Sequence, residues 1–155
     1  MQRLLKLIKS DLIRAYPNSC IARKLAGIFT NPSLQACILI RLSQCSPPYT
    51  YWIFRRILIS LHSIDVGRGI TIGTGLSLPH PVSIVLGQGV KIGCNCSIYQ
   101  GVTIGQANGK YPTIGNGVCL YPNSIIVGET TIQDNENIRA GSFVYKPKIR
   151  NSTEK

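Results

Sequence analysis

The chain has 155 residues, a length that supports one domain with a modest core. Hydrophobic residues make up 44% of it and charged residues 15%, which excludes a disordered polar chain. Seventeen Lys and Arg against six Asp and Glu give a net charge of +11. A nucleic-acid binder is still disfavoured, because the charge comes with no recognition motif and few interleaved aromatic residues. No apolar run reaches the roughly 18 residues of a membrane-spanning helix.

The cysteines predict neither a metal site nor a nucleophile. They form no pair of C-x-x-C elements, and no histidine stands near them to complete a zinc site. The N-terminus does not form a convincing signal peptide, so reduced thiols and a cytoplasmic location are expected. A reactive thiolate needs a neighbouring base or positive charge, and the sequence specifies none. The six are Cys20, Cys37, Cys45, Cys94, Cys96 and Cys119.

Residues 1–64 are predicted to form a basic, α-helical N-terminal region. They carry nine basic residues and one acid, Asp11. One amphipathic helix ends at Pro17, a second runs over residues 32–45 behind an Asn31 N-cap, and a third covers residues 49–64. The apolar face of the first helix is expected to contain Leu4, Leu5, Ile8 and Leu12.

Residues 65–145 show a six-residue period that neither a helix nor an ordinary strand produces. A triangular coil does: each hexad makes one flat strand and one corner, with the aliphatic residue pointing inward. Glycine often follows the aliphatic residue and would ease the turn. Such coils stack into a parallel β-helix with a continuous core. The thirteen aliphatic positions are Val66, Ile72, Leu78, Leu86, Ile92, Ile98, Ile104, Ile114, Leu120, Ile126, Ile132, Ile138 and Val144.

Two interruptions of this period are the expected places for function, because a regular repeat needs no loops for its stability. The first, between Leu78 and Leu86, contains Pro79-His80-Pro81. The second, between Ile104 and Ile114, adds four residues around positions 106–111. Glu136 stands where a small inward residue is expected, and the repeat does not account for it.

His80 is the leading candidate for chemistry. A histidine near its reference pKa of about 6.5 can remove a proton from a hydroxyl at neutral pH, although a surface histidine at a turn is the alternative. Asp65 would orient this imidazole, or would simply be a charged residue at a domain boundary. Counting three hexads per coil stacks Asp65 near Ser83. The other histidine, His62, is predicted to be structural.

Together the hexads, the SLPHP element and the GVTIG–loop–YPTIGNGV stretch resemble the serine acetyltransferase family of acyltransferases. That resemblance implies a left-handed β-helix, a homotrimer, acetyl-CoA as the donor, no metal, and active sites in grooves between subunits. It implies His80 as general base, paired with an aspartate fifteen residues earlier, which here is Asp65. The family's contacts with CoA would fall at Gly105, Gln106, Ala107, Pro122 and Ala140.

Departures from the family concern the acceptor. The residue before the catalytic histidine is Asp in serine acetyltransferases and Pro79 here. The family's Asp-Arg-His-Pro stretch is replaced by Gly-Lys-Tyr-Pro, which makes Lys110 and Tyr111 the candidate acceptor contacts. These changes resemble the colanic acid acetyltransferases of surface-polysaccharide pathways. An O-acetyltransferase acting on a sugar hydroxyl is therefore predicted, with serine O-acetylation as the alternative and an inactive trimeric scaffold as a further one.

The basic, amphipathic N-terminus permits two interpretations. Its apolar residues flanked by Lys and Arg suit contact with an anionic inner membrane surface. The same residues would alternatively pack against helices of neighbouring subunits in the trimer.

Residues 146–155 are expected to form a C-terminal tail.

Overall fold

Four helices form the N-terminal part of the computed structural model, which describes residues 2–145: α1 (Gln2–Ala15), α2 (Ile21–Thr30), α3 (Pro32–Cys45) and α4 (Pro48–His62). The three predicted helices correspond to α1, α3 and α4. α2 is not among them, because it is short and its N-cap, Cys20, makes no side-chain hydrogen bond. α3 begins as predicted, since the Asn31 side chain accepts the Ser33 N–H at 2.9 Å.

Short strands follow the helices, and the predicted boundary at residues 64 and 65 lies between α4 and the first of them. The predicted tail, residues 146–155, lies outside the described residues. The strands are β1 (Asp65–Val66), β2 (Thr71–Ile72), β3 (Val85–Leu86), β4 (Lys91–Ile92), β5 (Ser97–Ile98), β6 (Thr103–Gly105), β7 (Thr113–Ile114), β8 (Cys119–Leu120), β9 (Ile125–Val127), β10 (Thr131–Ile132), β11 (Asn137–Ile138) and β12 (Phe143–Tyr145).

The strands stack into a triangular parallel coil, which confirms the predicted β-helix. Each strand pairs in parallel with the equivalent strand of the next coil, so the three faces of the coil are three parallel sheets. We call them face A (β1-β3-β6-β9-β12), face B (β2-β4-β7-β10) and face C (β5-β8-β11). A single bridge from Ser77 to Ser97 extends face C to the first coil.

The register of face A locates both interruptions of the repeat. Thr103 pairs with Val85, eighteen positions earlier, which is the length of three hexads. Asp65 pairs with Val85 twenty positions later, so the first coil contains two extra residues, around His80. Thr103 pairs with Ile125 twenty-two positions later, so the third coil contains the four extra residues predicted at the loop. The expectation that Asp65 stacks near Ser83 is wrong, because plain hexad counting omits the two-residue insertion.

The predicted inward positions form the core. Twelve of the thirteen aliphatic residues are buried, and Val144 packs half-buried against them. Glu136 does not point inward. It is exposed, and its carboxylate accepts the backbone N–H of Gln133 at 2.7 Å. It caps a turn in the last described coil, where the neighbouring core residue Ile138 is itself 8% exposed.

Glycines after the aliphatic residues allow close stacking and do not shape the turn, contrary to the prediction. Gly67 and Gly93 are not among the residues with positive φ. A Cβ added at Gly67 would lie 2.1 Å from the backbone nitrogen of Gln88 in the next coil. The turns use other residues, such as Gly75, whose φ is +71° and over which the Asn95 side chain packs.

The helices cover the open end of the first coil. Ala36, Cys37 and Ile40 of α3 and Leu58 of α4 join the same apolar cluster as the coil's inward residues. Capping of this kind removes the exposed core end that a solenoid otherwise presents to water. Burial raises the pKa of the Cys37 thiol to about 12, so this cysteine is a packing residue and not a thiolate.

A buried ion pair fastens α1 and α3 to the coil. The guanidinium of Arg41 donates to both carboxylate oxygens of Asp11, at 2.8 and 3.0 Å, and the two side chains are 0% and 3% exposed. Arg41 also donates to the carbonyls of Ile72 and Gly73, while Asp11 accepts the N–H of Leu76. The buried face of α1 therefore contains Leu7 and Asp11, and Leu5 of the predicted apolar face is 61% exposed.

No single helix of residues 2–145 has the length and hydropathy to cross a membrane. α2 and α3 meet that test only as a pair, and they are bent by 84° relative to each other.

Candidate functional site

His80 lies on the outer surface of the corner that leads into face A. Buried Leu78 anchors the chain before it, and the proline on each side restricts the backbone φ at that point. The imidazole is exposed, and its ring centre is 6.2 Å from that of Tyr99 in the next coil. α3 supports the corner, because the Ser33 hydroxyl donates to the carbonyl of Pro79 at 3.4 Å. A rigid, solvent-accessible imidazole is what a general base requires.

Asp65 begins β1 and is bound by Arg55 of α4. Two hydrogen bonds, from Nε at 2.6 Å and Nη2 at 2.8 Å, make the pair bidentate. The two side chains are 30% and 41% exposed, so solvent screens the attraction. The carboxylate raises the pKa of Arg55, chiefly through its hydrogen bond. Among residues 2–145 Asp65 makes no hydrogen bond to His80, and its role as the partner of His80 stays a prediction.

Arg55 also helps to form a cavity that the sequence does not reveal. A space of about 410 Å³ opens between α4 and the start of face A, and its wall includes Trp52, Arg55, Asp65, Arg68 and Gln88. The Arg55 guanidinium carbon is 5.4 Å from the centre of the Trp52 ring, a cation–π distance. No spacing rule joins the helical Arg55 to Asp65, because the chain turns between them after α4 ends.

The second interruption forms a short reverse turn beyond β6. Ala107 and Lys110 exchange backbone hydrogen bonds of 3.0 Å, and the Gln106 side chain accepts the N–H of Gly109 at 2.7 Å. The Lys110 ammonium is 3.6 Å from Glu129, and both side chains are well exposed, so this pair is easily exchanged for a ligand. Tyr111 packs its ring over Gly89 of the preceding coil.

The predicted site residues fall on two opposite edges of face A. We call the corner before the strands the entry edge, and the ends of the strands with the residues after them the exit edge. Pro122 and Ala140 stack on the entry edge together with Gln100, as the hydrogen bonds from Asn123 to Gln100 and from Gly141 to Pro122 show. His80 lies at the top of this edge, beside Tyr99. The exit edge contains Gly105, Gln106, Ala107, Lys110 and Tyr111.

One chain therefore does not bring all the predicted residues into one groove. His80 and the loop that contains Lys110 lie on opposite edges of face A, and the five residue-to-residue steps from Gln100 to Gly105 span ~16 Å at roughly 3.3 Å per residue. The intersubunit site that the family resemblance implies stays a prediction.

The sequence also does not single out Gln100, although the structure places it next to the His80 corner. Its side-chain oxygen is buried and has no hydrogen-bond partner within the described residues. An unpaired buried acceptor is costly in free energy, so it is suited to receive a donor from a bound molecule. The only sequence signal is its place one residue after Tyr99, in the hexad that follows the first interruption.

His62, predicted to be structural, is buried at the end of α4, and its Nε2 has no hydrogen-bond partner in residues 2–145. Burial lowers its pKa from the usual 6.5. Because the unfolded chain then binds more protons, the stabilising contribution of neutral His62 is complete above about pH 6.5 and is lost as the pH falls.

We therefore expect the free energy of unfolding in urea to be lower at about pH 5.5 than at about pH 7.5. A His62→Gln variant should lose this dependence, while the matched His80→Gln variant, altered at an exposed histidine, should keep it. Equal pH slopes in the wild type and His62→Gln would contradict the assignment. Asp134, whose pKa is lowered by hydrogen bonds from Asn116, titrates below this window.

These features define the class of the protein as a β-helix of hexapeptide repeats with a helical cap and an exposed histidine at an inserted corner. The chain resembles serine acetyltransferases in sequence. It is 39% identical over 88 residues to a mitochondrial serine acetyltransferase of Arabidopsis thaliana, a match that covers 54% of this chain and 22% of the relative. It is 29% identical over 131 residues to a serine acetyltransferase of Helicobacter pylori, covering 79% and 76%. No family model matches the chain.

The fold is similar to solved serine acetyltransferases as well. Isoform 3 from Entamoeba histolytica, in complex with cysteine, superimposes with a TM-score of 0.77 and 26% identity, over 99% of this chain and 62% of that one. The coil is left-handed, as in that family. The chain is thus similar to serine acetyltransferases, and it spans 22% of the Arabidopsis thaliana relative and 62% of the Entamoeba histolytica structure.

Proposed function

We propose that the protein is an acetyl-CoA-dependent O-acetyltransferase. The observation that carries the proposal is His80, which stands exposed and held between prolines on a two-residue insertion of an otherwise regular coil. The relatives named above are serine acetyltransferases, which supports an acyl transfer to a hydroxyl. The chain itself offers small or turn-forming residues along both edges of face A, where an extended thioester substrate would lie against backbone.

The chemistry at this histidine is a direct transfer between two bound substrates. His80 accepts the proton of the acceptor hydroxyl as the oxygen attacks the thioester carbonyl. The new carbon–oxygen bond forms, the carbon–sulfur bond breaks, and the imidazolium returns the proton to the leaving CoA thiolate. Bringing both substrates to one corner converts an encounter in solution into a reaction within a complex.

Free serine is the acceptor that we propose first, because the relatives acetylate serine by name. A zwitterionic acceptor needs a cation for its carboxylate. Lys110 would supply it by exchanging its exposed 3.6 Å contact with Glu129. Asp65 would face the ammonium group only after it leaves Arg55, since the structure shows these two bound to each other.

A sugar hydroxyl is the second candidate, and Pro79 is the observation that favours it. The position before His80 carries no charge here, and the exit-edge loop provides Lys110 and Tyr111 in place of the family's arginine and histidine. An uncharged acceptor would need fewer charge partners. The two-edge arrangement of the site residues supports a homotrimer for either acceptor, because the entry edge of one copy would lie opposite the exit edge of its neighbour.

The experiment is acetyl-CoA turnover, followed by release of the CoA thiol, with free serine in one series and nucleotide sugars and oligosaccharides in another. We expect turnover with serine and none with Ala in its place, since alanine lacks the hydroxyl. Turnover only with a sugar would overturn the serine proposal and support the second candidate. Absence of both turnover and CoA binding would instead identify an inactive trimeric scaffold and would overturn acetyl transfer.

A further inference from the structure

α2 presents its apolar side away from the rest of the protein. Ile21, Leu25 and Phe29 recur at helical spacing and are 77%, 55% and 81% exposed. We call these three the α2 face. The helix is held from the opposite side, where buried Gly27 lies against the Tyr16 ring so closely that an added Cβ would be 2.6 Å from it. Only glycine permits this contact, so the orientation of α2 is fixed by its packed side.

A soluble helix normally turns its apolar side toward the core. The reversed orientation of α2 leaves three large apolar side chains adjacent to one another in water, which marks an interaction surface. Ala22 and Ala26 are also exposed and extend the same side without adding a polar group. The α2 face therefore needs a partner that accepts apolar side chains.

Charge identifies the kind of partner. At about 100° per residue Lys24 lies on the Ile21 side of the α2 face, and Arg23 lies on the other side, beyond the exposed Ala26. Residues 2–30 carry six basic residues in all. The one acid among them, Asp11, is 3% exposed and bound to Arg41. Residues 2–30 therefore present no carboxylate at the surface around α2. Two copies of the chain meeting through this face would bring like charges together, whereas an anionic surface would attract it.

We propose that α2 lies flat on the surface of an anionic lipid bilayer. Its ten residues span about 15 Å at 1.5 Å per residue, half of a bilayer's apolar core, so the helix rests in the interface and does not cross it. Ile21, Leu25 and Phe29 enter the boundary between head groups and acyl chains. Arg23 and Lys24 contact the lipid phosphates. The proposal goes beyond the acetyltransferase activity and does not depend on it.

The test is sedimentation of the full chain with vesicles of phosphatidylcholine alone or with about 30% phosphatidylglycerol. We expect binding to the anionic vesicles that weakens as salt is added. Arg23→Gln combined with Lys24→Gln should weaken it on the order of thirtyfold, at roughly tenfold or less per charge. Phe29→Ser should also weaken it at least tenfold. The control is Tyr49→Ser, which removes an equally exposed aromatic residue on α4 and should leave binding unchanged.

Three outcomes would overturn the proposal. The first is unchanged vesicle binding in Phe29→Ser, and the second is an equal loss of binding in Tyr49→Ser. The third is a smaller oligomer for Phe29→Ser than for the wild type in analytical ultracentrifugation without lipid, because the α2 face would then be covered by a second copy. Since residues on the face are exposed, these variants should keep the wild-type unfolding midpoint, which the same samples can confirm. Acetyl-CoA turnover is measured separately on the same proteins, so a failure of membrane binding by α2 can be told apart from a failure of acetyl transfer.

Discussion

Replacing His80 with alanine is expected to lower acetyl-CoA turnover by about 10² to 10⁴-fold, the usual contribution of a general base. The imidazole is exposed and makes no hydrogen bond among the described residues, so its removal should leave the fold and the oligomer intact. The measurement is kcat with saturating acceptor, together with the unfolding midpoint of the variant. A loss of activity at an unchanged midpoint assigns the effect to chemistry.

The matched control is Val82→Ala, which shortens another exposed side chain of the same corner. We expect its kcat to stay within a few-fold of the wild type, because Val82 provides no proton acceptor. Wild-type turnover by His80→Ala would refute the role of His80 as base. Equal losses in the two variants would show that the corner is sensitive to shape and would remove the specific argument for the imidazole.

Replacing Arg41 with methionine is expected to cost about 3 to 5 kcal/mol of unfolding free energy, the range for breaking a buried ion pair. The substitution leaves the Asp11 carboxylate buried with only the Leu76 N–H as partner. It also removes the side-chain donor to the Gly73 carbonyl and one of the two side-chain donors to the Ile72 carbonyl. Urea unfolding provides the midpoint and the slope, and the slope shows whether the helical cap still unfolds with the coil.

Two controls separate burial from charge in this measurement. Glu129→Gln removes the exposed pair with Lys110 and should cost less than about 1 kcal/mol. Combining Asp11→Leu with Arg41→Met should restore part of the loss, because no unpaired charge stays buried. Recovery should be incomplete, since the Gly73 carbonyl and the Leu76 N–H lose their side-chain partners and the Ile72 carbonyl retains only Gln44. A cost under about 1 kcal/mol for Arg41→Met alone would contradict the role of the pair in fastening α1 and α3.

The six-residue repeat allowed each inward residue of the coil to be predicted. Local sequence signals did not predict every helix of the N-terminal region. The inward residue can be identified within each hexad, so an inserted residue appears as a break in the six-residue spacing. Such breaks occur at His80 and at the loop before Ile114. α3 was predictable from Asn31 and Pro32, which form an N-terminal signal. α2 has no such signal, and its orientation depends on contact between Gly27 and Tyr16, eleven residues apart in the chain.

Short-range periodicity is enough to predict the parallel β-helix, its inward residues, its two interruptions and His80 as the candidate base. The charge pairs, Asp11 with Arg41, thirty residues away, and Asp65 with Arg55, became known from the folded chain. So did the placement of His80 and Lys110 on opposite edges of face A and the outward orientation of the α2 face. Such pairings depend on how distant segments pack, and packing between distant segments leaves no periodic trace in the sequence.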